Sequence, residues 1–410
     1  MKKWVLVTIL AMALEAFSME KWVNCIGNQS CQPCLYDEPH TFEELCHQIK
    51  QSVIQGLTVR AIGNGYSISD IGCADGCLLN LKHLNQILFI DAEKKLVRVE
   101  AGITLQELNE RLAVAGLALS NQAAITQITL GGALSTGVHG TGHTGTLSSF
   151  IREIELITAD GTLHKLSKIS DPDAFAAASI SMGSLGVIYA VTLQCEPLFY
   201  LRANSEVTDL ESVLENYKEL NQSNDFLQFA WNVETGNIVV KRWNRCQQKA
   251  LECTVAYKAL PWFVIDENDK DLFLEIAVPI DSLPDALITV KKLAQKYQEA
   301  GAKIADINIR FVEQDRYIFL SPASDGPVAY ITLCMSDEDK YLAFYKEFEE
   351  TLSINYHGRP HWGKIHFLDQ QKVANLYGVN LQKFISVKRR LDPKGVFSNA
   401  FTDRIFKAEK

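Results

Sequence analysis

The apolar positions of the N-terminal half alternate between helical and strand spacing. Helical spacing begins behind two capping boxes, Thr41-Phe42-Glu43-Glu44 and Thr104-Leu105-Gln106-Glu107, in which the threonine and the glutamate satisfy free backbone N–H groups at a helix start. The first box predicts a helix to about Gln51, and the second predicts a helix that ends near Gly116. Short apolar runs bounded by turn residues predict strands at 58–62, 78–81, 87–90 and 96–100. This half is therefore predicted to be rich in strands with interspersed helices.

Longer elements follow a predicted hairpin. The hairpin joins strands 151–158 and 162–166 through the turn Ala159-Asp160-Gly161, because Asp-Gly favours tight antiparallel turns. From about Tyr200 the patterns predict strands at 272–278, 307–312 and 328–334, a helix from Ser282 to about Ala300, and a helix near 381–391. Alternation of this kind is typical of an α+β domain in which helices cover one sheet face.

Composition supports a globular protein that binds small molecules. The chain has 410 residues, of which 47% are hydrophobic and 22% charged, enough for two domains with separate cores. Its formal net charge of −9 and the lack of a Lys/Arg run argue against a nucleic-acid-binding surface.

The first 18 residues have the pattern of a signal peptide. Lys2 and Lys3 precede the apolar run Trp4-Val5-Leu6-Val7-Thr8-Ile9-Leu10-Ala11-Met12-Ala13-Leu14, and Ala16-Phe17-Ser18 offers a small-x-small cleavage site. We expect export with cleavage after Ser18, to the periplasm or the outside. The alternative is an uncleaved membrane anchor, but the run is shorter than the roughly 20 residues of a spanning helix.

Ten cysteines are present, an even count that permits disulfides in an exported chain. Cys25, Cys31, Cys34 and Cys46 cluster before the first domain, which predicts local disulfide stapling, although pairing does not follow from sequence. The Cys31-x-x-Cys34 spacing also suits a redox pair or half of a metal site. Because neither a second such pair nor a pair of histidines at ligand spacing accompanies it, we predict no metal site.

Two glycine-rich stretches are candidate ligand loops. Gly63-Asn64-Gly65-Tyr66-Ser67 is either an ordinary tight turn or a phosphate cradle, since residues without a Cβ let backbone amides approach a ligand. The stretch 131–142 has five glycines in twelve residues, and the regular placement of Leu134 and Val138 favours a ligand-binding loop over a flexible linker. Neither opens the strand–helix unit of a nicotinamide-binding Rossmann fold, so together they favour one large anionic cofactor.

These stretches, taken with several others, resemble the sugar-1,4-lactone oxidoreductases (gulonolactone oxidase, arabinonolactone oxidase and galactonolactone dehydrogenase) of the vanillyl-alcohol-oxidase flavoprotein superfamily. The motifs that carry the resemblance are AIGNGYSISDIGCADG, GGALSTGVHGTG, SMGSLGVI, LEIAVP, RFVEQD, PHWGK and RRLDPKGVFSN. They follow the family's order along essentially the whole mature chain, and PHWGK is the most specific of them.

The resemblance implies an α+β fold in three parts. A two-subdomain FAD-binding domain of the PCMH type is expected over residues 19–198, with FAD extended at the junction of the subdomains. An α+β cap domain that covers the isoalloxazine ring and binds substrate is expected over 199–345. A C-terminal segment, 346–410, is expected to return to the flavin.

The resemblance also implies which residues contact FAD. Those around the pyrophosphate are Ile62, Gly63, Asn64, Gly65, Tyr66, Ser67, Gly132, Thr136, Gly137, His139 and Gly140. Those on the adenosine side are Gly183, Gly186, Val187 and Ile188. His139 has the alternative of a purely structural role in a tight loop, and it is not the favoured base. Ala123 lies where the dehydrogenase has an alanine and the oxidases have a glycine, so it either restricts dioxygen access or simply packs in a turn.

Two departures from the family pattern refine these expectations. Oxidases with covalent flavin have a histidine at the position of Tyr66, and since a phenol cannot form that bond we predict non-covalent FAD. The family's Glu-x-Arg on a cap strand is Asn308-Ile309-Arg310 here. Strand alternation puts Asn308 and Arg310 on one face, where asparagine can hydrogen bond a hydroxyl but cannot act as a base.

The implied reaction is oxidation of the C2 hydroxyl of an aldono-1,4-lactone, with hydride transfer to flavin N5 and dioxygen, a quinone or a cytochrome as electron acceptor. Arg310 and Lys364 are the candidate cations for the developing negative charge, and His361 is either the proton acceptor or a group that orients the substrate. Membrane association is compatible with a quinone acceptor but not required. The alternatives are oxidation of another sugar or an alditol on the same scaffold, and a flavin-binding protein with impaired catalysis.

Overall fold

The computed structural model describes residues 21–406 except 248–249, 251, 262–270, 305 and 336–337. The predicted signal peptide, 1–18, lies outside the described residues. Within the part of the chain that is described, no helix combines the length and the apolar character needed to cross a membrane.

The N-terminal unit contains a small parallel sheet and a larger antiparallel one. Its elements are β1 (Trp22–Val23), β2 (Ser30–Cys31), β3 (Leu35–Asp37), α1 (Phe42–Ile54), β4 (Val59–Ile62), β5 (Cys77–Asn80), β6 (Ile87–Asp91), β7 (Leu96–Glu100), α2 (Leu105–Val114), β8 (Leu117–Ala118), α3 (Leu130–Ser135), β9 (Ile151–Ile157), β10 (Leu163–Leu166), α4 (Pro172–Ser179), β11 (Val187–Gln194) and β12 (Glu196–Pro197). The parallel sheet has the order β3-β5-β4, and the antiparallel sheet has the order β10-β9-β11-β7-β6. The two sheets are the two subdomains that the resemblance implied.

Both predicted capping boxes start helices. The hydroxyl of Thr41 accepts a hydrogen bond from the N–H of Glu44 at 3.1 Å, and the hydroxyl of Thr104 accepts one from Glu107 at 3.1 Å. The Asp-Gly hairpin is also confirmed, with β9 paired to β10 across a turn in which Gly161 has φ 74°. Local sequence therefore sets these element boundaries.

The second glycine stretch differs from the predicted ligand-binding loop in that its first residues form the helix α3. The N–H of Gly131 donates to the carbonyl of Ala101, and a Cβ on Gly131 would lie 3.0 Å from the Cβ of Ala101. Glycine thus permits a close approach of the helix to the turn that follows β7, rather than flexibility.

The cap unit is one eight-stranded sheet with helices against it. Its elements are β13 (Tyr200–Thr208), α5 (Leu210–Ser223), β14 (Phe226–Trp231), β15 (Ile238–Cys246), β16 (Cys253–Val255), α6 (Ala256–Ala259), β17 (Leu272–Pro279), α7 (Leu283–Glu299), β18 (Ile307–Val312), β19 (Val328–Met335), α8 (Glu338–Tyr356) and, from the tail, β20 (Arg359–Pro360). The sheet order is β16-β13-β15-β14-β18-β19-β17-β20. Ile309 packs in the apolar core under the helices, which leaves Asn308 and Arg310 on the other sheet face, as alternation predicts.

The C-terminal tail returns to the N-terminal unit through α9 (Gln370–Leu391) and α10 (Ala400–Phe406). Phe384, Phe397 and Phe401 are completely or almost completely buried in the core that holds β4, β9 and β11. The expected boundary between 345 and 346 falls inside α8, whose Phe348 and Leu352 pack in the cap core. The cap therefore extends past residue 345, because α8 is one continuous helix with a single buried face.

The cysteines are arranged differently from the expectation. Cys246 and Cys253 form a disulfide that joins the ends of β15 and β16. Cys25, Cys31, Cys34 and Cys46 are not disulfide-bonded. The clustering in sequence was misleading because Cys31 lies on β2 and Cys46 on α1, while Cys25 and Cys34 lie in turns between the short strands.

Candidate active site

A cavity opens where the N-terminal unit, the cap sheet and the tail meet. It encloses about 1380 Å³ of empty space, part of it open to solvent. Its lining residues come from the first glycine turn, from the helix α3, from the loop around Gly183, and from charged residues of the cap and tail. The cavity therefore brings together residues from all the sequence-predicted regions.

The first glycine turn is pressed against the segment that precedes α3. A Cβ on Gly63 would lie 2.0 Å from the hydroxyl oxygen of Thr129, so only glycine fits there. Asn64 Nδ2 donates to the carbonyl of Gln127 at 2.7 Å, and Gly65 has φ 71°. These contacts fix the turn with its backbone along the cavity wall.

Most of the sequence-predicted residues line the cavity. These are Ile62, Gly63, Asn64, Gly65, Tyr66, Ser67, Ala123, Gly132, Thr136, His139, Gly183, Gly186, Ile188, Arg310, His361 and Lys364. The structure places four others outside the lining, namely Gly137, Gly140, Val187 and Asn308.

Each of these four residues has a backbone, packing or hydrogen-bonding role outside the cavity wall. Gly137 and Gly140 shape the segment after α3: Gly137 has φ 70°, and a Cβ on Gly140 would lie 2.0 Å from Asn121 Oδ1. Val187 is a buried core residue of β11. Asn308 is partly buried, and its Oδ1 accepts a hydrogen bond from Gln228 Nε2 at 2.8 Å.

A buried carboxylate that the sequence analysis did not single out organises the charged end of the cavity. Glu275 on β17 pairs with Thr332 on β19, and Thr332 pairs in turn with Asn308 on β18, so all three side chains stand in one row on the cavity face. Glu275 Oε1 accepts hydrogen bonds from Arg310 Nη2 at 2.5 Å and from the Thr332 hydroxyl at 2.7 Å. Burial alone raises the pKa of Glu275, but Arg310 and the neighbouring histidines hold it well below the usual value. Glu275 is therefore ionised.

Two histidines beside Glu275 have tautomers fixed by the backbone. His361 Nδ1 accepts the N–H of Gly363 at 3.0 Å, which leaves the proton of the neutral ring on Nε2. His139 Nδ1 lies 2.9 Å from the carbonyl of Gly140, which requires the proton on Nδ1 and leaves a lone pair on Nε2. Burial lowers the pKa of His361 to about 3 and lowers that of His139 as well, so both rings are neutral near pH 7.

His139 Nε2 points toward the Glu275 carboxylate. The two atoms, Nε2 and Oε1, lie 3.4 Å apart, and Nε2 has no hydrogen-bond partner among the described residues. The ring of His139 stacks on Tyr330 with 3.6 Å between centroids. The imidazole is thus placed between Tyr330 and the carbonyl of Gly140, with Nε2 facing Glu275.

Lys364 adds a second cation to the same wall. Loss of hydration lowers its pKa from the usual lysine value, and the Glu275 carboxylate partly opposes this effect. Its Nζ lies 4.8 Å from the centroid of the Phe273 ring. With Arg310 and Lys364 positive and Glu275 negative, this end of the cavity has a net charge of about +1, which suits an oxygen that develops negative charge.

His139, Glu275 and His361 also bring three atoms of metal-ligand type within 4.8 Å of one another. However, Arg310 already occupies the carboxylate, and Lys364 lies in the same wall. A divalent cation would meet both positive charges, so the electrostatics favour an anion or a polarised oxygen here.

Comparison with known proteins agrees with this geometry. The sequence model of the family described as D-arabinono-1,4-lactone oxidase matches residues 191–260 and 252–405, and that of the FAD binding domain matches residues 33–167. L-gulonolactone oxidase of Bos taurus is 28% identical over 96% of this chain and 99% of its own length. L-gulono-1,4-lactone dehydrogenase of Mycobacterium tuberculosis is 30% identical over 94% of this chain and 98% of its own.

The chain belongs to the D-arabinono-1,4-lactone oxidase family. Among solved structures it is similar to a cholesterol oxidase from B. sterolicum, with a TM-score of 0.81 and 14% identity over 94% of this chain and 96% of that one. At that identity the likeness concerns the fold alone, and it agrees with the expected α+β architecture.

The cavity of this family member fits the FAD that its FAD-binding domain implies. The glycines of the first turn, of α3 and of the Gly183 loop leave stretches of the wall that are formed by backbone, as a long cofactor held by backbone amides requires. Buried polar atoms without partners, Arg60 Nη1, His139 Nε2 and Arg310 Nε, lie on residues that line it. Unpaired buried donors and acceptors indicate a ligand that completes their hydrogen bonds.

Proposed function

We propose that this protein oxidises the C2 hydroxyl of an aldono-1,4-lactone with FAD as its cofactor. The observation that carries the proposal is the Glu275–Arg310 ion pair beside Lys364, at the end of a glycine-walled cavity in a member of this family. The names of the relatives, which include both oxidases and dehydrogenases of sugar lactones, support the substrate class.

FAD, when bound, supplies the hydride acceptor at N5. The chain supplies the charge and the orientation. Arg310 and Lys364 stabilise the substrate oxygen as its proton leaves, because both cations stand in a wall of low dielectric. Glu275 fixes the guanidinium of Arg310 through a charge-assisted hydrogen bond and limits the excess positive charge.

The tautomers distinguish the roles of the two histidines. His361 presents an N–H at Nε2, so we infer that it donates a hydrogen bond and orients the substrate rather than accepting the proton. His139 presents the lone pair at Nε2, and a proton that arrived there would face Glu275 Oε1 at 3.4 Å. We therefore assign the hydroxyl proton to His139, with Glu275 stabilising the imidazolium.

We also infer that FAD is held without a covalent bond and that dioxygen is a poor electron acceptor. Tyr66 lines the cavity at the position where the covalent oxidases have histidine, and burial raises the pKa of its phenol to about 12. Ala123 lies in the cavity wall and is 2% exposed, so its methyl group occupies space that a glycine would leave open. A quinone or a cytochrome then becomes the preferred acceptor.

Anaerobic mixing of the flavin-loaded protein with candidate substrates tests the proposal. We expect L-gulono-, L-galactono- or D-arabinono-1,4-lactone to bleach the flavin absorbance, and reoxidation by an artificial dye to be faster than by air. Arg310→Met should abolish bleaching, whereas the matched control Arg316→Met, at an exposed loop arginine, should not. Bleaching by alditols alone would replace the lactone with a polyol as substrate, and a flavin that no sugar reduces would indicate a binding protein.

We further propose that residues 1–18 direct export and are removed. The support is the sequence pattern of two lysines, an apolar run and a small-x-small site.

A further inference from the structure

Arg60 is a buried cation in the wall of the same cavity that the proposed reaction does not use. It lies on β4, three positions before the first glycine turn, and is 3% exposed. Its Nε donates to the carbonyl of Ile71 at 2.7 Å, but its Nη1 has no hydrogen-bond partner among the described residues. The guanidinium is therefore anchored at one nitrogen and free at another.

The described residues also offer Arg60 no ion pair. Asp70 is the carboxylate that acts on it electrostatically, yet both oxygens of Asp70 bind Arg404, each at 2.8 Å. Burial lowers the pKa of Arg60 to about 10, which leaves it charged at neutral pH. A buried charge without a partner is costly, so this arrangement is explained by an anion that arrives from outside the chain.

The surroundings of Arg60 add positive charge on the side of the Gly183 loop. A Cβ on Gly183 would lie 3.3 Å from Arg60 Nη1, so glycine keeps the space beside the guanidinium open. Lys388 Nζ donates to the carbonyl of Ser184 at 2.8 Å. Its carboxylate partner, Asp392, also accepts the N–H groups of two residues that follow it in the tail. The charge of Arg60 also acts on Lys388, so two cations lie near each other here, and the carboxylate of Lys388 is already engaged.

We propose that Arg60 binds the pyrophosphate of FAD through a charge-assisted hydrogen bond from Nη1. This rests on the proposed presence of FAD in the cavity. A planar guanidinium matches phosphate oxygens in geometry and charge, and the first glycine turn begins three residues further along the same strand. Arg60 and the backbone amides of that turn then form one anion site.

The test uses the full-length chain produced in riboflavin-limited cells, so that it is isolated without flavin whether or not attachment is covalent. Titration calorimetry measures the binding of FAD, ADP and riboflavin to the wild type, Arg60→Met, Arg60→Lys and the control Arg98→Met. Arg98 is a guanidinium with its own carboxylate, Glu155, on the antiparallel sheet. We expect Arg60→Met to raise the Kd for FAD and for ADP by about tenfold or more and to leave the Kd for riboflavin within about twofold of the wild type. Arg60→Lys should recover part of the lost affinity, since lysine keeps the positive charge but not the planar set of N–H donors of a guanidinium.

Thermal unfolding of the flavin-free variants separates binding from structure. Because Arg60→Met removes an unpaired buried charge, its flavin-free Tm should not fall below that of the wild type, while its gain in Tm on adding FAD should shrink. Equal FAD and ADP affinities in wild type and Arg60→Met, or a parallel loss of riboflavin binding, would overturn the role of Arg60. A wild type that binds neither FAD nor ADP would instead refute the cofactor assignment itself.

Discussion

At the scale of one residue, Tyr66 carries the proposal that FAD is bound without a covalent bond. Its phenol lines the cavity and lacks the imidazole nitrogen that would bond to the flavin. Acid precipitation should therefore release all the flavin into the supernatant, as measured by its absorbance. Tyr66→Phe should behave in the same way, and yellow colour that stayed in the pellet of either protein would contradict the prediction.

Lys364 should set the alkaline limit of activity. The lysine assists only when charged, so kcat/KM should fall as the pH rises through its pKa, and loss of hydration places that pKa below the usual lysine value. Measurement of kcat/KM from neutral to alkaline pH should show a falling limb. Lys364→Met should lower kcat by about a hundredfold or more and remove the limb. A limb that persisted unchanged in this variant would show that another group titrates.

The contact between α8 and the tail contains a carboxyl that opposes folding at neutral pH. Glu349 is 1% exposed and accepts the N–H of Phe367 at 2.7 Å, and burial raises its pKa to about 7. Between pH 4.5 and 7 the unfolded chain releases this proton while the folded chain retains it. The free energy of unfolding therefore falls over that range, by at most about 3 kcal/mol.

Glu349→Gln should remove this penalty and keep an acceptor for the Phe367 N–H. Its Tm advantage over the wild type should be absent near pH 4.5 and should grow until about pH 8, as followed by circular dichroism. Glu350→Gln, at the exposed neighbouring position, is the control and should show no such growth. A constant difference at every pH would mean that Glu349 does not titrate with folding.

Local signals predicted elements better than they predicted the site. Thr41 and Thr104 marked helix starts correctly because a capping box acts within four residues. Glu275 was not predicted as a site residue because LEIAVP has the composition of an ordinary buried strand. Its place beside Thr332 and Asn308 follows only from the register in which β17, β19 and β18 pair. Asn308 shows the same difference between local and long-range signals. Strand alternation predicted its sheet face correctly, but its hydrogen-bond partner, Gln228, lies on a strand 80 positions away in sequence.

Export concerns the whole molecule and is tested on the secreted or periplasmic protein. If residues 1–18 are a cleaved signal peptide, N-terminal sequencing of the mature protein should begin at Met19. Ser18→Arg should block cleavage and leave a larger precursor, because the site requires a small residue. A mature protein that began at Met1 would favour the membrane-anchored alternative.

The cavity joins the two cores, so FAD should stabilise the N-terminal unit and the cap together. The glycine turn belongs to the first unit, whereas Glu275 and Arg310 come from the cap sheet, and all of them line one cavity. A ligand that binds only the folded arrangement adds about 4 kcal/mol at a thousand times its Kd. Hydrogen exchange with and without FAD should thus slow in both β9 and β18, although their cores are distinct. Glu275→Gln leaves the Arg310 charge unpaired, so FAD should still protect β9 in this variant but protect β18 less. Protection of β9 alone in the wild type would mean that the cap does not close on the cofactor.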